Sequence, residues 1–162
     1  MKKYTVVLLA LALMVCSGCP IGLDYPLAPK GEEKIERELL GTWVAEAEDP
    51  EVKKVSLKSS GDNTYEVEVL EKGSMYSLET DKLEAWVTTV NKGNFLILKP
   101  EGEDKFYHYQ FHFNGSTLVT NDMSLLDGGV DAVTSTETLR NQVERSMGME
   151  GWADENISWN KE

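Results

Sequence analysis

From residue 42 to about residue 123 the chain alternates apolar and polar positions with a period of two. That period puts every second side chain on the same face of an extended strand, so each strand has one dry and one wet face. Trp43, Ala45 and Ala47 share a face against Val44, Glu46 and Glu48. Val55, Leu57 and Ser59 stand against Ser56, Lys58 and Ser60, and Tyr65, Val67 and Val69 against Glu66 and Glu68. Residues 75–80 and 83–90 are expected to form a further pair of strands, followed by 95–99, 105–113 and 116–123. Gly61-Asp62-Asn63, Asn91-Lys92-Gly93-Asn94 and Asn114-Gly115 are the turn signals between them. About eight short strands in series predict a mainly β fold, a small antiparallel up-and-down barrel or a sandwich.

The period becomes helical at both ends of this run. Residues 32–40 predict a short N-terminal helix: Glu32 and Glu33 would complement the dipole of its first turn, Ile35 and Leu39 are spaced i, i+4, and Gly41 would stop it. After Asp127-Gly128-Gly129, Thr134 or Ser135 caps a C-terminal helix, with Thr134 and Glu137 spaced as a capping box. Leu139, Val143 and Met147 give that helix a narrow apolar stripe, and Gly148 follows. Ile157-Ser158-Trp159 reads as a last strand.

The first residues follow a different logic. Lys2 and Lys3 precede an apolar run over 4–15, long enough for a signal segment and short of the roughly 20 residues of a spanning helix. Cys16-Ser17-Gly18-Cys19 then resembles a lipobox, with small residues before the cysteine that takes the lipid. Cys16 stands where that pattern has leucine, and lipidation of Cys16 itself would put Met14 and Val15 at the cut. The expected organisation is a lipoprotein signal peptide over 1–18, a tether anchored through lipidated Cys19 over 19–31, and a barrel domain over 32–162. Pro20, Pro26 and Pro29 favour an extended tether with a reach of roughly 35 Å, although Tyr25 and Leu27 are apolar enough to pack on the domain instead. Export is expected, with an outer-membrane address if the host has two membranes, because proline rather than aspartate follows Cys19.

Composition changes this picture in two ways. The formal charge of −12 becomes about −14 once Lys2 and Lys3 are gone, and so acidic a surface repels phosphate backbones and anionic headgroups. Nucleic acid is therefore not an expected partner, and attachment to the membrane must come through Cys19. Both cysteines, Cys16 and Cys19, precede Pro20. The exported domain has no disulfide to draw on, and its stability rests on an apolar core.

A short helix, then Gly41-Thr42-Trp43 opening the first strand, then some eight strands, a helix and a terminal strand: this order resembles the lipocalins. The resemblance implies a barrel whose floor is closed by Trp43, with Gly41 and Trp43 structural, and a small apolar ligand held inside. Lipocalins also stack an arginine near the last strand on that tryptophan. Here the nearest arginines are Arg140 and Arg145, both on the expected helix, and Thr120-Asn121-Asp122 is out of frame with the family's Thr-Asp-Tyr signature.

Among candidate sites, 105–113 carries the most distinctive side chains. Tyr107, Tyr109, Phe111 and Phe113 share one face and form the candidate ligand wall, or plain core. Phe106, His108, Gln110 and His112 share the other face, expected toward solvent or the outer helix. His108 and His112 lie roughly 13 Å apart on a strand, too far for one ion. Asp122, Asp127 and Asp131 match no calcium-loop spacing, so no metal or cofactor is expected. The chain lacks a Gly-x-Ser-x-Gly elbow, a His-Glu-x-x-His helix and a phosphate-cradling glycine loop, and no catalytic residue is assigned. Three readings stay open: a carrier of a small apolar ligand, an envelope interaction or inhibitor module with a filled barrel, and an enzyme, for which no motif speaks.

Overall fold

The computed structural model describes residues 21–123, 125–153 and 156–162. The expected signal peptide, Cys19 and Pro20 lie outside the described residues. The fold is mainly β. Eight antiparallel strands close into an up-and-down barrel: β1 (Gly41–Ala45), β2 (Val52–Gly61), β3 (Thr64–Lys72), β4 (Lys82–Val90), β5 (Gly93–Pro100), β6 (Tyr107–Asn114), β7 (Thr117–Asp122) and β8 (Asn156–Lys161). The short terminal strand closes the ring, pairing Trp159 with Leu118 on one side and with Ala45 on the other.

The period-two pattern sorts side chains as the sheet requires. Trp43, Leu57, Tyr65, Val67, Ala85, Val87, Leu96, Phe111, Leu118 and Trp159 point inward and form one core. A second core lies outside the barrel wall. There Trp86, Val90, Phe95 and Ile97, on the outer faces of β4 and β5, are covered by helix α1 (Thr136–Ser146) and by the segment leading into the barrel. These two strands are dry on both faces, which is why they read as nearly continuous apolar runs.

The floor is closed at the start of β1. The Trp43 indole N–H donates to the Leu39 carbonyl at 2.8 Å, and Lys161 of β8 holds its ammonium 5.0 Å from the centre of the Trp43 ring. Gly41 has φ +130°, and a Cβ there would stand 2.7 Å from Cε of Lys161. Glycine at this position lets the lysine lie across the tryptophan.

Three expectations are corrected. Residues 32–40 form only a 3-10 turn at Arg37–Leu39. Glu33, instead of starting a helix, accepts hydrogen bonds from the hydroxyls of Thr88 and Thr89 and the backbone N–H of Thr89. Residues 75–80 make no strand. Tyr76 and Leu78 pack against the inner core, while Ser74 and Ser77 donate to Asp49 and Glu51 across the end of the barrel. The Thr134–Glu137 capping box gives way to Ser135, whose hydroxyl accepts the N–H of Thr138 at 3.1 Å.

The segment after Pro20 takes the second of its two expected courses, in which Leu27 packs on the domain. Residues 21–31 run down the outer wall as a docked strap rather than away from it. Leu23 exchanges both backbone hydrogen bonds with Phe106, and Leu27 and Ala28 are buried in the outer core. The carbonyl of Ala28 accepts the Trp86 indole N–H at 2.9 Å. At its lower end the strap meets the β2–β3 turn, where Asn63 donates to the Gly31 carbonyl.

Candidate functional site

Strand β6 spans the barrel from its open end to its floor, so the four aromatic residues of its inner face sit at different depths. Phe111 is 2% exposed and meets Phe113 edge-on at 6.2 Å; Phe113 in turn packs on Trp43. These two rings belong to the floor. Tyr107 and Tyr109 stand near the open end, paired in register with Leu98 and Leu96 of β5. Tyr109 also faces Asp122 of β7, so a carboxylate shares the inner face with the two phenols.

Exposure changes along the same axis. The inward residues Trp43, Tyr65 and Ala85 are sealed at 1% exposure or less. Toward the open end Val55, Leu98, Tyr107, Tyr109 and Ile157 are only partly buried. These residues mark the mouth of the barrel, where Val69 and Leu83 are nonetheless buried. Its cover is the loop between β3 and β4, through Tyr76 and Leu78.

The mouth is electronegative. Burial pushes the Tyr76 hydroxyl up to about 12, helped by Asp81, Glu51 and Glu103. Burial raises Tyr107 as well, with Glu103 and Glu51 adding to it. Tyr109 is raised well above the ordinary phenol range by burial, then by Asp122 and Glu51. All three phenols stay neutral and able to donate a hydrogen bond at any physiological pH. The ammonium of Lys72 already lies 4.7 Å from the centre of the Tyr76 ring, a cation–π arrangement at the rim.

On the opposite face of β6 the histidines separate. His112 is exposed. His108 is buried beneath the strap, where its Nε2 accepts the backbone N–H of Leu27 at 3.1 Å and Nδ1 has no partner. Burial lowers its pKa to about 3, so it is a neutral structural acceptor. Gln110 accepts from the Trp152 indole N–H at 3.2 Å. Of the two environments expected for this row, the covered one holds for His108 and Gln110, and solvent only for His112. Asp127 pairs with Arg145 at 2.6 Å, and among the described residues no group of three acidic, histidine or cysteine side chains could hold a metal ion.

A groove of about 610 Å³ runs along β3, β4 and the end of β5, past Tyr65, Glu66, Leu83, Glu84 and Lys99 to Glu103 beside the mouth. Its walls are charged and open to water, unlike the enclosed, mostly apolar sites that hold small ligands.

The fold thus defines the class: a closed eight-stranded antiparallel up-and-down β-barrel with a strap and a helix on its outer wall. No protein-family model, curated protein or solved structure matches the chain significantly.

Proposed function

We propose that this chain is an exported, membrane-anchored lipoprotein whose lipocalin-like barrel carries a small apolar ligand in its upper half. The observation that carries the binding reading is the accessible inner wall at Leu98, Tyr107, Tyr109 and Ile157, above a floor sealed by Trp43 and Phe111. An eight-stranded barrel has room for one small guest. Its apolar wall would hold the body of that guest, and the neutral phenols of Tyr107 and Tyr109 would orient a polar end.

Lys161 supports the lipocalin-like part of the reading. A cation on the last strand stacked over the Gly-x-Trp tryptophan is the feature that the sequence lacked as an arginine, and lysine supplies it here. Anchoring rests on Lys2-Lys3, the apolar run and Ser17-Gly18 before Cys19. An outer-membrane address in a two-membrane host rests on Pro20.

The test is titration of a Cys19→Ala protein with an apolar fluorescent probe, together with native mass spectrometry after exposure to an envelope extract. Saturable one-to-one binding is expected, weakened at least tenfold in Tyr109→Ala. A wild type that binds no probe and retains no small molecule points to the filled-barrel interaction module. For the anchor, incorporation of a fatty-acid analogue should disappear in Cys19→Ala.

A further inference from the structure

The docked strap leaves very little chain between the barrel and the expected lipid. Gly22 lies against Tyr107 at the mouth: a Cβ on Gly22 would be 3.2 Å from the Tyr107 hydroxyl and 3.1 Å from Cβ of Lys105. The next residue, Leu23, is held to Phe106 by backbone hydrogen bonds of 2.8 and 2.9 Å. Asp24 is ion-paired with Lys105 at 2.5 Å. From Gly22 the strap descends the outer wall until Gly31 meets the floor turn. It therefore enters the domain at the open end and nowhere else.

Cys19 precedes Gly22 by three residues, so its Cα lies within about 10 Å of the Gly22 Cα whatever the path between them. The floor turn beyond Asn114 lies some seven strand residues below Tyr107, a further distance of about 23 Å. A lipid on Cys19 can reach the rim of the mouth but not the floor.

We infer that the open end of the barrel faces the lipid surface that holds Cys19, so that a guest passes between bilayer and barrel through the mouth. This rests on the lipoprotein and carrier readings above, and it names the source of the guest: an amphiphile dissolved in the membrane. The rim carries Glu51 and Glu103 beside the Lys72–Asp81 ion pair, an acidic balance that anionic headgroups would repel. The covalent anchor, not surface charge, is what holds the mouth down.

The experiment uses the full mature lipoprotein in phosphatidylcholine vesicles. A fluorophore is placed either at the mouth, through Met75→Cys on the β3–β4 loop, or at the floor, through Ser116→Cys in the β6–β7 turn. Both sites are exposed. A lipid carrying a nitroxide quencher in its headgroup should quench the label at residue 75 several-fold more than the label at residue 116. Inserting about 20 Gly/Ser residues after Pro20 should erase the difference, since such a linker has a span comparable to the barrel's height. Equal or reversed quenching on vesicle-bound protein overturns the orientation alone, and so does a difference that survives the insertion. Protein that fails to float with the vesicles overturns the anchor reading and the orientation with it. Quenching needs no guest, so absent probe binding with preserved quenching strikes only the carrier reading.

Discussion

The Lys161 ammonium lies 5.0 Å from the centre of the Trp43 ring and donates to the Glu38 carbonyl at 3.0 Å. One side chain of the last strand thereby ties the first strand to the 3-10 turn beneath it, at the place where the barrel must close. Trp43→Ala should cost about 3–5 kcal/mol, the range for emptying a large buried aromatic site. Lys161→Ala should cost no more than about 1 kcal/mol, because the lysine is exposed and its cation–π contact is solvated. Urea unfolding of both variants checks the order, and equal losses would show that the lysine is more than a cover.

The two halves of β6 should respond differently to truncation. Phe111→Ala empties a sealed floor position and should cost about 3–5 kcal/mol. Tyr109 lies nearer the mouth and is only partly buried, so Tyr109→Ala should lower stability less, while weakening probe binding more. Parallel denaturation and probe titrations separate the two effects. If Tyr109→Ala proves as destabilising as Phe111→Ala, the upper half is core and not a binding wall.

His108 should make stability depend on pH. Its folded-state pKa, lowered to about 3 by burial, lies below the ordinary value of 6.5. The unfolded chain therefore binds a proton that the folded chain refuses. Stability is full above the unfolded pKa and falls as pH drops from 6.5 toward 3, at up to about 1.4 kcal/mol per pH unit. Between about pH 6 and pH 5, before most carboxylates titrate, the wild-type urea midpoint should fall while that of His108→Gln stays nearly level. Equal slopes would count against a buried neutral histidine.

The strap is part of the folded domain. Leu27 is fully buried, so Leu27→Ala should cost about 2–5 kcal/mol. Hydrogen exchange should also quicken at the Leu23–Phe106 bridge. A stability change near zero would return residues 21–31 to the status of a tether.

Ser135, not Thr134, caps α1. Ser135→Ala should cost about 1 kcal/mol by stranding the Thr138 N–H, and Thr134→Ala should be nearly neutral. Thermal unfolding of the two single variants is sufficient to tell.

The strands were legible because a sheet with one dry face imposes period two on any sequence that forms it. Trp43 and the Tyr107–Phe113 face show that pattern without ambiguity. Residues 75–80 show it too and still form a loop: Tyr76 and Leu78 find apolar contact on top of the barrel, and local alternation cannot distinguish that from pairing. The helix expected over 32–40 was lost because Glu33 is drawn to Thr88 and Thr89, some 55 residues away. The Lys161–Trp43 contact is not legible in the sequence because its two partners meet only across the closure of the ring.

By itself, the sequence determined the acidic balance, the β class and the inner face of each well-patterned strand, the last two set by neighbours within a few residues. Tertiary structure alone decided that β8 closes the barrel, that the strap docks on the outer wall, that His108 lies beneath it, and that Phe111 and Phe113 of β6 pack at the floor by Trp43. Those outcomes depend on contacts between residues such as Leu27 and His108, 81 positions apart. Their burial exists only once the barrel has brought them together.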